Sequence, residues 1–375
     1  MSWAEWVQGR NDKARAKARW RELKELDALG LRGKLPDGAV VVAFATNDYL
    51  GLSAHPRVIE AAHEALDRWG AGAGASRLIT GSRPVHHELE ERLAAWKSSA
   101  SALVFPSGYG ANLGVLEALA GPGVTLCCDM LNHASIIDGC RLASALGARV
   151  VHYPHADPSA ADAALGSAPG RSVLVTDSVF SMDGDAAPIS ELAEICARHG
   201  ALFVVDEAHA VLGPNFSELP CEVLRVGTLS KTLGSQGGFV ASSRGMIDML
   251  VNRCRSFIFT TALAPPSAAA ALAALDVLLS GEGASLLRQL ATYAQRLRPG
   301  PAITSPIIPF VVGSEQEALD ASMSLLQMGA LVPAVRPPAV PPGTSRLRVT
   351  VSAAHTQDEI ELLAAALARL GLHGG

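Results

Sequence analysis

Between Asn47 and about Pro266 the chain alternates short apolar runs with helical patterns, and this alternation restricts it to very few folds. The runs are Leu103-Phe105, Val124-Cys127, Val150-Tyr153, Val173-Val175, Leu202-Val205, Val223-Val226 and Phe239-Val240. Most are apolar throughout rather than at every second residue, as in strands covered on both faces. Between them, Val58, Ile59, Ala62, Leu66 and Trp69 share one helical face, as do Leu89, Leu93 and Trp96. The predicted core is therefore α/β, a mostly parallel seven-stranded sheet wrapped by helices.

The flanks read differently. From Trp3 to about Leu29 a charged, Ala-rich stretch with Trp6, Leu23, Leu26 and Leu29 as apolar points predicts one amphipathic helix. Beyond Pro265-Pro266 a helix-rich linker leads to a smaller α+β unit with strands near Ile307-Val312 and Arg346-Val351. Its last helix opens with Thr356-x-x-Glu359, a capping box, and Gly371 is the expected stop. The Pro-rich segment from Pro333 to Pro342 reads as an ordered loop.

A net charge of -5 gives no reason to expect nucleic acid. The six cysteines contain no C-x-x-C pair, so reduced, buried thiols and no metal are expected. The first residues carry Asp12, Glu22 and Glu25 among their basic groups, unlike a signal or transit peptide. Apolar runs fall short of the roughly 20 residues of a membrane helix. A cytoplasmic protein without membrane partners is expected.

Chemistry concentrates at the ends of the apolar runs. Val204-Val205-Asp206-Glu207-Ala208-His209 puts an acid and an imidazole after one strand, and Gly227-Thr228-Leu229-Ser230-Lys231 puts an amine after another. In open α/β sheets ligands lie beyond the carboxyl ends of the strands. A carboxylate and a lysine delivered there suit pyridoxal 5′-phosphate (PLP), whose pyridine nitrogen needs an acid and whose aldehyde needs an amine. Singly, each residue has a plain alternative: an acid at a strand end caps a helix, and most lysines are surface charges. Ser107-Gly108-Tyr109-Gly110, after Leu103-Phe105, opens a helix whose first N–H groups suit a phosphate. His133 follows the next strand, where it either stacks on the ring or serves as a cap. Ser181-Met182-Asp183-Gly184-Asp185 is either a site loop or a turn made by Asp-Gly.

Taken together these segments resemble the α-oxoamine synthases, a branch of fold-type I PLP enzymes, over about Asn47 to His355. The resemblance is carried by Asn47-Asp48-Tyr49-Leu50-Gly51-Leu52, Gly72-Ala73-Gly74-Ala75-Ser76-Arg77, His86-His87-Glu88-Leu89-Glu90, Ser107-Gly108-Tyr109 with Asn112, Asn132-His133-Ala134-Ser135, Ser178 to Asp185, Asp206 to His209 and Thr228 to Lys231. It implies that Lys231 holds PLP as an imine, Asp206 pairs with the pyridinium nitrogen, His133 stacks on the ring, and Ser181 and His209 lie near its phenolic oxygen. Ser107, Gly108, Tyr109 and Thr228 would serve the phosphate and its surroundings. Thr260 and Thr261 would reach the phosphate of the neighbouring subunit of a homodimer. Two departures stand out: Ala210 replaces a family glycine, and the segment after Val211 is shortened to Leu212-Gly213-Pro214-Asn215.

The run Val335-Arg336-Pro337-Pro338-Ala339-Val340-Pro341, with Ser345 to Thr350, resembles the oxononanoate-forming branch. There Arg336 would grip an amino-acid carboxylate, a task suited to a planar guanidinium. Asn47 and an N-terminal arginine, Arg19 or Arg21, would also serve the substrate. The resemblance implies decarboxylative condensation of L-alanine with a pimeloyl thioester, on coenzyme A or acyl carrier protein. Glycine C-acetyltransferase and 5-aminolevulinate synthase activities are the alternatives. On this reading residues 1–46 are an N-terminal helical segment, 47–268 a PLP-binding large domain and 269–375 a C-terminal small domain. An ATP-driven helicase, suggested by Asp206-Glu207-Ala208-His209, lacks the upstream phosphate loop. A nicotinamide enzyme lacks a strand before Gly70-Ala71-Gly72-Ala73-Gly74 and the required glycine spacing.

Overall fold

The structure is a computed structural model, and it describes residues 1–300 and 304–372. The chain divides into a larger unit, residues 50–181 and 185–287, and a smaller unit, residues 1–49, 182–184 and 288–375.

The larger unit is built on the expected seven-stranded sheet. Its spatial order is Ser101–Phe105, Gly238–Ser242, Val223–Thr228, Leu202–Asp206, Arg171–Asp177, Val124–Asp129, Arg149–Tyr153. All neighbours run parallel except Gly238–Ser242, which is antiparallel to both of its partners. Strand residues alternate between two cores. Leu126, Cys128, Val173, Val175 and Val204 enter one, with the helices Gly108–Leu119 and Ala134–Ala145. Cys127, Leu174, Phe203 and Val205 enter the other, with the helix Ile189–His199. Both faces are covered, which is why the apolar runs do not alternate in sequence.

The helix Pro56–Trp69 packs against Pro265–Leu278. Its predicted face is only partly covered: Val58 is buried, whereas Leu66 is exposed. Leu89 and Leu93 of the helix Pro84–Trp96 are fully buried. Among the described residues no single helix is long and apolar enough to cross a membrane.

In the smaller unit the N-terminal helix covers only Trp3–Ala16, rather than running to Leu29. Ala18 takes a left-handed φ of 51°, which ends the helix. Leu23 has no apolar neighbour to cover it and is fully exposed. Asp27–Leu29 instead turns through Gly30 (φ 68°) to pair with Arg32–Lys34, and Val40–Ala43 and Ala330–Leu331 complete this sheet. A second sheet joins Ile307–Gly313, Ser345–Thr350 and Ala334–Val335, the last strand lying in the Pro-rich loop. The final helix, Gln357–Arg369, has the expected Thr356/Glu359 capping box and Gly371 at φ 69°.

Candidate active site

Register brings the chemistry-bearing strand ends into one row. Gly238 is paired with both Phe105 and Thr228, Asp206 with Val226, and Asp177 with Asp206. The groups that follow these ends therefore start from one edge of the sheet.

Lys231 and His209 leave neighbouring strands and meet there, with Nζ 2.7 Å from Nε2. Asp206 is buried. Its Oδ1 accepts the Ala208 N–H at 2.9 Å and its Oδ2 accepts Asn112 Nδ2 at 2.6 Å. Asn112, on the helix Gly108–Leu119, also donates to Ser135 Oγ at 2.9 Å, and its own Oδ1 is buried without a partner. Ser135 passes the chain on: its Oγ lies 2.7 Å from His133 Nδ1, which also accepts the Ser135 N–H. With Nδ1 an acceptor, the neutral imidazole carries its proton on Nε2. Burial and the Lys231 charge push the His133 pKa down, against the pull of Asp206.

Asp177 shares this pocket of charge. Its Oδ2 accepts the His133 N–H at 2.8 Å, and burial together with the Asp206 charge pushes its carboxyl well above the usual range. Adjacent buried carboxyl groups resist ionising together, so Asp177 is the one pushed toward its protonated form.

Ser107 caps the helix Gly108–Leu119, its Oγ accepting the Gly110 N–H at 3.0 Å. Gly238 is required beside it, because a Cβ there would stand 2.4 Å from the Gly108 nitrogen. That close approach seats the helix N-terminus, with its partial positive charge, against the sheet edge. Thr228 Oγ1 donates to the Gly237 carbonyl at 2.9 Å. Tyr109 donates its hydroxyl to Asp138 and stands edge-on to His133, ring centroids 6.3 Å apart. Ser181 is half-buried in the turn after the strand Arg171–Asp177. Thr260 and Thr261 follow an exposed Phe259 in a segment tied down by the Ala262 N–H to the Ala75 carbonyl, 3.0 Å. The shortened loop runs into Phe216 and Ser217, whose carbonyls accept from Arg225 at 2.7 and 3.1 Å. With Lys97, Glu207 and Trp96 it lines a cavity of about 460 Å³.

The remaining predicted residues lie in the smaller unit. Arg336 donates to the carbonyls of Ala18 and, at 3.2 Å, Trp20. Arg19 is paired with Glu315 at 2.9 Å, while Arg21 is exposed and its charge is felt at Arg336. Asn47 Oδ1 accepts from Arg348 at 3.3 Å and from Tyr49 Oη at 3.2 Å. Burial pushes the Tyr49 hydroxyl pKa up to about 12.

Three participants carried no assigned role in the sequence: Asn112, Ser135 and Asp177. Asn112 and Ser135 lie inside the motif segments and reach Asp206 only through the packing of two helices on the sheet, while Asp177 is brought beside it by strand register.

The aminotransferase class I and II family profile matches residues 39–367. The 8-amino-7-oxononanoate synthase of Anaeromyxobacter dehalogenans is 47% identical over 92% of this chain and 94% of its own. That of Methylobacterium sp. (strain 4-46) is also 47% identical, covering 93% and 95%. Among solved structures, serine palmitoyltransferase from S. paucimobilis gives a TM-score of 0.89 at 30% identity, covering 98% of each chain. An 8-amino-7-oxononanoate synthase from Francisella tularensis gives 0.71 at 26%, covering 88% and 98%. The chain belongs to the aminotransferase class I and II family and, within it, to the α-oxoamine synthases. It is a PLP-dependent transferase, and the donor set fits that cofactor: an amine, a buried carboxyl group, a neutral imidazole and a capped helix N-terminus on one sheet edge.

Proposed function

We propose that the chain condenses L-alanine with a pimeloyl thioester, releasing carbon dioxide and the free thiol carrier, to form 8-amino-7-oxononanoate. The observation that carries the chemistry is Asp206, buried and held by two donors, beside the Lys231–His209 pair. Identity of 42% to 48% to several 8-amino-7-oxononanoate synthases supports the substrate pair.

PLP, when bound, supplies an electron sink for negative charge at the amino-acid α-carbon. Lys231 is the amine that would hold it, and once displaced by alanine it is the base that takes the α-proton and later returns it. Asp206 keeps the pyridine nitrogen protonated through its negative charge. Asn112 and Ser135 hold His133 with its proton on Nε2, a donor for the thioester carbonyl oxygen as charge develops there. His209 and Ser181 serve the phenolic oxygen. Ser107, Gly108, Tyr109 and Thr228 serve the phosphate, with Thr260 and Thr261 acting on that of the partner subunit in a homodimer. Arg336 takes the alanine carboxylate, assisted by Arg21 and Asn47. The acyl carrier is coenzyme A or acyl carrier protein.

A second reading, transfer of a long acyl group to L-serine, has one observation behind it: the backbone matches serine palmitoyltransferase at a higher TM-score than it matches the Francisella synthase. Substrate choice depends on side chains more than on backbone. The higher identity to oxononanoate synthases therefore favours alanine and a pimeloyl group. The test is an absorbance titration of the PLP-loaded protein with L-alanine, glycine and L-serine, then thiol release from pimeloyl-CoA and palmitoyl-CoA. A response to alanine with pimeloyl-dependent release supports the proposal; a response to serine with palmitoyl-dependent release replaces it with the second reading.

A further inference from the structure

His155 is the centre of a charged bridge that the chemistry above does not use. It follows the strand Arg149–Tyr153, whose last residue is paired in register with Asp129. Its Nδ1 lies 3.1 Å from Asp129 Oδ1 and its Nε2 lies 2.7 Å from Asp185 Oδ2. The Asp129 side chain is fully buried, and it also accepts the N–H groups of Leu131 and Ala156, each at 2.8 Å. Asp185 Oδ1 is buried with no hydrogen-bond partner. The His155 ring stands edge-on to Phe180, centroids 4.3 Å apart.

A neutral imidazole has one N–H and one lone pair, so it can donate to only one of these carboxylates. The imidazolium donates to both. Burial alone would lower the pKa of His155, but the two carboxylates facing it, Asp185 and Asp129, outweigh burial and hold it above the ordinary imidazole value.

Each carboxylate governs a turn of the active site. Asp129, through the Leu131 N–H, sets the turn that leads to His133. Asp185 closes the turn that carries Ser181: its carbonyl accepts the Phe180 N–H at 2.9 Å, and Val179 bridges Ala186. We propose that His155, bridging Asp129 and Asp185, is a positioning residue that keeps the Ser181 turn in register with the His133 turn and thereby shapes the PLP ring site. This rests on the PLP reading above.

The bridge is complete below the ordinary imidazole value, about 6.5, and is lost as pH rises through the raised value of the folded protein. Two measurements test it. In ¹⁵N-histidine NMR of the PLP-free protein, His155 is expected to keep both ring nitrogens protonated to a higher pH than a free imidazole (about 6.5); loss of one proton at or below that value overturns the proposal, and this arm needs no variant to fold. In PLP titrations, His155→Gln is expected to bind about tenfold more weakly, the loss of one charge-assisted hydrogen bond. The double variant His155→Gln/Asp185→Asn is expected to be no weaker than His155→Gln, because the two act through one bridge. A folded His155→Gln protein with parental PLP affinity, even with a lower Tm, overturns the proposal alone. Failure of the parent to take up PLP overturns the cofactor reading and this proposal with it.

Discussion

Asp177 and Asp206 occupy register-paired ends of adjacent parallel strands, and burial beside Asp206 pushes the Asp177 carboxyl well above the usual range. The proton is therefore favoured on Asp177. The expected outcome is asymmetric: Asp206→Asn lowers kcat/KM by at least about 10²-fold, as for loss of a group that governs proton transfer. Asp177→Asn changes it by no more than about threefold, because the amide oxygen still accepts the His133 N–H and no charge is lost. Steady-state kinetics on the two variants check this; equal losses would show that the charge is shared.

The same pair sets a pH dependence of stability. Asp177 has a raised pKa in the folded chain, so its protonated form contributes stability fully below the unfolded value, about 3.9, and that contribution is lost as pH rises through the folded value. Urea unfolding of the parent and Asp177→Asn across pH 4 to 8 is expected to show the variant gaining on the parent as pH rises. A constant difference would rule out a buried proton on Asp177.

Ser135→Ala breaks the relay from Asn112 to His133. Asn112 Nδ2 loses one acceptor in a buried site and His133 Nδ1 loses its hydroxyl donor. A cost of about 1–3 kcal/mol in folding stability is expected for the unsatisfied group. A loss of activity larger than the loss of stability should accompany it, since the Nε2 proton is no longer fixed. Denaturant midpoints and kcat read the two effects separately.

Lys231→Ala is expected to abolish turnover and any borohydride-reducible attachment of PLP, while PLP still binds noncovalently at the Asp206 and Ser107 positions. Mass spectrometry after reduction is the measurement, and PLP fixed to the variant would refute the assignment.

Arg336→Ala is expected to act twice. Loss of a carboxylate-binding guanidinium raises KM for L-alanine by at least about tenfold. Loss of its donors to the Ala18 and Trp20 carbonyls raises hydrogen exchange in residues 17–22. Faster exchange with an unchanged KM would make Arg336 a tether for the N-terminal segment only.

All seven strands of the large sheet were legible because a strand buried on both faces must be apolar nearly throughout. That Lys231, Asp206 and His133 follow strand ends was legible from the same apolar runs. The N-terminal segment was not: Leu26 and Leu29 sit at helical spacing, but Ala18 turns left-handed and Asp27–Leu29 finds a strand partner in Arg32–Lys34, a preference set by pairing rather than by local periodicity.

The order of strand-end chemistry along the chain is a property of the sequence, since the identity and spacing of Ser107, His133, Ser181, Asp206 and Lys231 need no coordinates to be read. The raised pKa of Asp177, the nitrogen of His133 that is the donor, and the His155 bridge from Asp129 to Asp185 were decided by tertiary structure alone. These depend on distances of a few ångströms between groups far apart in the chain, and at such distances, out of water, hydrogen bonds and charge set protonation.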